Sequence, residues 1–178
     1  MSGADILSPA MDRSRPVVIV THGSMNPVHS GHVAMMVRAK EAVEAQGWQV
    51  IKGVMGITRA SHIRSKGTEP MEDAERLRLL EIACQPYSEW LTHCNGEGVK
   101  ATSGSKFALL LQSSCPPNTL FGLVQGSDVF TRYPSANLDF NQDALKIIVS
   151  RAGEEETARQ QRSEFRSGAE KILILPPD

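Results

Sequence analysis

The sequence predicts an α/β protein built on an open parallel sheet with helices on both faces. Three observations predict it. Short apolar, β-branched runs alternate along the chain with segments of helical apolar spacing. The runs are continuous rather than alternating with polar residues, as in strands covered on both faces. The length of 178 residues suits one such domain.

The first strand is Pro16-Val17-Val18-Ile19-Val20, bounded by the turn-forming Gly23. Val33, Met36, Val37 and Val43 then recur at near-helical spacing, with Gly47 as the stop. Trp48 to Gly56, carrying Val50, Ile51 and Val54, reads as the second strand. Ser61 to Pro70 holds His62, Arg64, Lys66 and Gly67 and reads as a basic loop. A second helix is expected from Met71 to Cys84, with Leu77, Leu80 and Cys84 on one stripe. Glu72, Asp73 and Glu75 fall in its first turn, where the helix dipole favours them.

Trp90 lies in a short strand-like stretch, followed by a polar loop from Asn95 to Gly98. Ser103 to Ser113 reads as a helix with Phe107, Leu110 and Leu111 inward. Leu120 to Val124 is a core strand ending at Gly126-Ser127-Asp128. Ala144 to Val149 is another, leading into Ser150-Arg151-Ala152-Gly153. A charged surface helix over Glu154 to Arg166 and a last strand, Ile172 to Leu175, complete the pattern. Residues 1–15 read as a loose tail and 16–178 as the domain.

The formal net charge is −1, with 40% hydrophobic and 22% charged residues, so no nucleic-acid or membrane partner is expected. Any affinity for phosphate must be local. Cys84, Cys94 and Cys115 show no CxxC spacing and read as reduced thiols of a cytoplasmic or nuclear protein. The start lacks the apolar stretch of a signal peptide, and no apolar run approaches the ~20 residues of a membrane span.

The chemistry centres on Gly23-Ser24-Met25-Asn26-Pro27-Val28-His29-Ser30-Gly31-His32. This stretch begins where the first strand ends and enters the first turn of a helix, where free N–H groups and the dipole attract anions. Gly23 allows a sharp turn, and Gly31 lets a ligand come close. His29 and His32, three apart, share one face and can donate to phosphate oxygens. A lone His-x-x-His also fits surface residues or part of a metal site, but no third ligand lies nearby. Joined to Gly-Ser-x-Asn-Pro behind a hydrophobic strand, the pair points to function.

Gly23 to His32 resembles the GSF(D/N)PxHxGH signature of the HxGH nucleotidyltransferase superfamily, with Met25 in place of the usual Phe. Further matches resemble nicotinamide/nicotinate mononucleotide adenylyltransferases, particularly the eukaryotic type. Arg64 and Lys66 match a basic stretch before a glycine, and Arg76 to Ala83 the Arg-led helix that follows. Ser88-Glu89-Trp90 is similar to a Ser-x-Trp, Gly126-Ser127-Asp128 to G(S/A)D, and Val149 to Gly153 to V(T/S)R(A/P)G. The resemblance covers roughly residues 16 to 155 and implies a Rossmann-like sheet.

It also implies transfer of AMP from ATP, with Mg²⁺, to nicotinamide or nicotinate mononucleotide, forming NAD or its deamido form and releasing pyrophosphate. His29, His32 and Lys66 would be catalytic. Gly23, Ser24, Met25, Asn26, Gly31, Arg64, Trp90, Gly126, Asp128 and Arg151 would bind the nucleotides. Blander readings stand beside these: a solvated loop for Arg64 and Lys66, core for Trp90, a turn or cap for Asp128, and a plain ion pair for Arg151. Rivals are a related enzyme acting on phosphopantetheine or a phosphorylated alcohol, and a non-catalytic nucleotide-binding relative. A homo-oligomer is common in the family.

Two departures matter. The family's second phosphate motif, ISSTxxR, is expected about where the chain ends at Asp178, so the domain reads as C-terminally truncated or divergent. The stretch Leu91 to Asn95 also lacks the nicotinamide-stacking Trp.

Overall fold

Val17, Val18, Ile19 and Val20 are wholly removed from water, and the sheet is built around them. Burying such side chains contributes roughly 1.5–3 kcal/mol each, enough to fix this strand at the centre. The computed structural model describes residues 6–96, 98–132 and 138–178. In it, β1 (Pro16–Gly23) pairs in parallel with β2 (Gln49–Ile57) on one side and β4 (Leu120–Gly126) on the other. β3 (Leu91–His93) extends the sheet beyond β2, while β5 (Ala144–Val149) and β6 (Ile172–Leu175) extend it beyond β4. The order β3-β2-β1-β4-β5-β6 is a Rossmann-like, all-parallel sheet. Chain direction reverses its lateral course between β1 and β4, which opens a crevice beyond their carboxyl ends.

The helices are α1 (Ser30–Ala45), α2 (Ala60–Ser65), α3 (Asp73–Cys84), α4 (Gly104–Leu111), α5 (Ser127–Arg132) and α6 (Glu155–Ser163). α1 buries Val33, Met36, Ala39 and Val43, a stripe at three- and four-residue spacing. None of the helices is long and apolar enough to cross a membrane among the described residues. The three cysteines are free.

Several expectations need correction. The segment after β2 is not all loop, since Ala60–Ser65 forms α2, stopped where Gly67 takes a positive φ of 82°. Gly126-Ser127-Asp128 does not end in a turn but runs directly into α5. In α4, Phe107 and Ala108 are buried, whereas Leu110 is half exposed, because the inward stripe runs through Phe107, Ala108 and the partly buried Leu111 and leaves Leu110 beyond its edge. Trp90 precedes β3 rather than lying within it.

Met1 to Asp5 of the expected tail lie outside the described residues. The rest of that stretch is held down, not loose. Leu7 is buried, and the Arg13 guanidinium lies 4.1 Å from the Trp48 ring centroid. The Trp48 indole N–H in turn donates to the Asp12 carbonyl at 3.0 Å.

Candidate functional site

The carboxyl ends of β1, β4 and β5 and the start of α1 enclose a cleft of about 810 Å³. Gly23, Ser24, Met25, His29, Gly31, His32, Gly126, Asp128 and Arg151 all line it. The first rim is the loop that leaves β1. Its sharp bend falls at Met25, with φ of 41°, rather than at Gly23 as the glycine suggested. A buried methionine in the left-handed region is costly and holds only because its side chain is anchored in the core.

His29 is the N-cap of α1, so it precedes the first helical turn while His32 lies within it. Gly31 N–H donates to His29 Nδ1 at 3.1 Å, and His29 N–H donates to His32 Nδ1 at 3.0 Å. A Cβ on residue 31 would sit 3.0 Å from the His29 ring, so glycine is what allows the first of these bonds. Each neutral imidazole therefore accepts at Nδ1 and carries its proton on Nε2. The rings lie 3.8 Å apart at 30°. Burial lowers the His32 pKa to about 4, with the neighbouring His29 ring and the Arg151 guanidinium adding to the effect. At neutral pH His32 is thus an uncharged donor at the positive end of a helix, suited to a developing negative charge.

Arg76 holds this rim from behind. It is only 1% exposed. It donates to the carbonyls of Ser24 at 2.8 Å and Met71 at 3.0 Å, and to Asp73 Oδ1 at 2.6 Å. Asn26 faces the same way and does not line the cleft. Its side chain bridges Glu69 O at 3.0 Å and Met71 N–H at 2.8 Å, so it clamps the loop to the 69–71 segment. The side chain expected to meet substrate is engaged with the 69–71 backbone.

The second rim joins the ends of β4 and β5. Asp128 meets Arg151 at 3.2 Å, with the Arg151 side chain mostly exposed. Ser127 Oγ accepts from Arg151 N–H at 3.0 Å and donates to Glu154. The Asp128 carboxylate folds back over Gly126, where an added Cβ would lie 2.7 Å from Oδ1. Glycine is therefore required there for the carboxylate's position.

Arg64 and Lys66 are exposed beyond α2 and do not line the cleft, although the Lys66 charge is felt at His22. Trp90 is not brought to it either. It packs across the middle of β2, on Gly53, with Tyr87 edge-on at 6.3 Å and Lys40 Nζ 5.6 Å from its ring centroid.

Four cleft residues escape the sequence reading. Arg38 lines the cleft and pairs with Asp178 at 3.1 Å. Lys146 sits on β5, where burial lowers its pKa. Ser150 Oγ and His22 Nε2 are both buried without a hydrogen-bond partner. Of these, Ser150 and His22 stand beside quoted motifs, and their position at strand ends is the one signal that could have marked them.

Comparison with known proteins gives one family. The model of the cytidylyltransferase-like family matches residues 20–167. No curated protein matches by sequence. Among solved structures, Plasmodium falciparum nicotinic acid mononucleotide adenylyltransferase complexed with NaAD superposes with a TM-score of 0.61 at 16% identity, over 91% of this chain and 75% of that one. The same enzyme complexed with APC gives 0.58 at 16% identity, over 90% and 74%. At this identity the likeness establishes the fold.

Proposed function

The chain belongs to the cytidylyltransferase-like family of nucleotidyltransferases, and from that premise we propose that it moves AMP from Mg-ATP to nicotinamide or nicotinate mononucleotide. An oxygen of the acceptor's 5′-phosphate attacks the α-phosphorus of ATP. The bond from that phosphorus to the bridging oxygen breaks, and pyrophosphate leaves with the electron pair. NAD or its deamido form is the other product.

The observation that carries the reading is the state of His29 and His32. Backbone N–H groups occupy both Nδ1 atoms, so both Nε2–H donors are free to meet phosphate oxygens. They are fixed before substrate arrives, which is what stabilisation of a transferring phosphate asks for. In this reading Arg151, whose charge bears on His32 from the second rim, holds the triphosphate. In this reading Lys66, exposed beyond α2 and outside the cleft lining, meets a phosphate of either substrate as it enters. Among the described residues no group of three His, Cys, Asp or Glu side chains could hold a metal. In this reading Mg²⁺ enters with the substrate, held by the phosphates of ATP.

The test is pyrophosphate release from Mg-ATP with nicotinamide mononucleotide, nicotinate mononucleotide or phosphopantetheine. Release with either mononucleotide, lost in His32→Ala, is the expected result. Release with phosphopantetheine alone would move the acceptor and keep the chemistry. ATP binding without release would leave a non-catalytic nucleotide-binding protein.

A further inference from the structure

Along α1 the cleft does not stop at the two histidines. Gly31, Ala34, Met35 and Arg38 all line it, at the three- and four-residue spacing of one helical stripe. A groove therefore continues along the helix, which rises about 10 Å between residues 31 and 38. Its facing wall is the sheet. There Leu123 of β4 and Lys146 of β5 are register partners, project from the same face and both line the cleft.

Among the described residues three cations line the cleft, Arg38, Lys146 and Arg151, against two carboxylates, Asp128 and Asp178. Asp128 pairs with Arg151, and Asp178 with Arg38 at 3.1 Å. Lys146 has no acid. Its Nζ instead faces the Phe140 ring, 4.9 Å from the centroid, and Lys171 Nζ lies 5.8 Å from the same ring. Burial lowers the Lys146 pKa, as it does for an ammonium short of a counter-charge.

Arg38 shows what the groove accepts. Its side chain is 21% exposed and that of Asp178 83%, so a mostly buried cation holds a carboxylate that remains in water. Arg38 also donates to the Pro176 carbonyl. The residue before Pro176 accepts from Ser150 N–H at 3.1 Å, which places the guanidinium at the carboxyl ends of β5 and β6, beside the Arg151 loop. A carboxylate so exposed gives way to another anion at little cost.

We propose that Arg38 and Lys146, on opposite walls of this groove, bind the β- and γ-phosphates of Mg-ATP, the pair that leaves as pyrophosphate, and that Asp178 yields Arg38 to them. The α-phosphate stays with His29 and His32. The planar fork of Arg38 suits two phosphate oxygens, while the flexible Lys146 stem swings its charge from the Phe140 ring to the phosphates. The inference rests on nucleotidyl transfer from ATP and is independent of the acceptor.

Calorimetric binding of Mg-ATP, inorganic pyrophosphate and AMP to the full chain tests it, with Arg38→Met, Lys146→Met and Asp178→Asn. Each methionine variant should weaken Mg-ATP and pyrophosphate by about tenfold or more and leave AMP unchanged. Asp178→Asn, an exposed change that the fold tolerates, should tighten both by about two- to fivefold.

Unchanged Mg-ATP affinity in either methionine variant overturns the proposal, and so does an Asp178→Asn that binds no tighter. Where a methionine variant misfolds, Asp178→Asn decides alone. The expected pattern without pyrophosphate release from either mononucleotide sustains the site and overturns only the mononucleotide reading. A wild type that binds no Mg-ATP overturns both.

Discussion

The two rims of the cleft do neighbouring work and are held by opposite means. The rim after β1 is fixed by its own backbone: the bonds that orient His29 and His32 span two and three residues. The rim at β4 and β5 is fixed by side chains far apart in the chain. Ser127 meets Arg151 and Glu154 across 24 and 27 residues, and Asp128 meets Arg151. A rim held locally keeps its shape whatever is bound. A rim closed by one partly exposed ion pair, Asp128 with Arg151, can exchange that partner for a ligand at little cost, since such pairs contribute about 1 kcal/mol or less. The first is suited to the reacting phosphate, the second to a substrate that arrives and leaves.

The largest effect should come from removing the preorganised donor. His32→Ala is expected to lower kcat by roughly 10²–10³-fold, with ATP affinity changed much less. A loss confined to KM would mean that the first rim binds rather than catalyses, and the distinction between the rims would collapse.

Beyond its own short-range bonds, the first rim is tied to the 69–76 segment by the Asn26 amide and by the buried Arg76 guanidinium. Arg76→Met leaves the carbonyls of Ser24 and Met71 without their donor and should cost about 2–4 kcal/mol in urea unfolding. Removing the exposed Arg151 should cost under about 1 kcal/mol. Similar losses for both variants would contradict the contrast.

The same contrast explains what could be read from the sequence. The first rim is a contiguous ten-residue motif behind a β-branched strand, so its place, its helix and its two histidines were legible. The strands were legible for the same local reason, as runs such as Ala144 to Val149 show. Asn26, Trp90, Arg64 and Lys66 were not, because whether a side chain turns to the cleft depends on tertiary packing. Asn26 turns towards Met71, and Trp90 lies over Gly53. Lys146 carries no local pattern, and His22 only its place at a strand end beside the motif. Their chemistry comes from burial, which no neighbour in sequence reports.

A smaller effect tests the second rim. Gly126→Ala should push the Asp128 carboxylate away, since the new Cβ would lie 2.7 Å from Oδ1 in its present position. The carboxylate is the movable partner, so stability should change little while KM for ATP rises by about tenfold. An unchanged KM would remove Asp128 from substrate binding and return it to the role of a helix-start residue.

The smallest expected effect is in the pH dependence of stability, and it separates the rims by charge. Burial lowers both His22 and His32 to about 4 in the folded chain. Unfolded, each would titrate near 6.5. Between those limits the unfolded chain takes up protons that the folded chain refuses. Stability contributed by the neutral rings is therefore complete above about pH 6.5 and is lost as pH falls towards 4. Both rings are partly open to solvent, which softens the slope. Tm should drop between about pH 7 and pH 5, and drop less when both histidines are replaced by glutamine. An equal drop in the double variant would place the acid-sensitive groups elsewhere, and would mean that the first rim tolerates a charged imidazole.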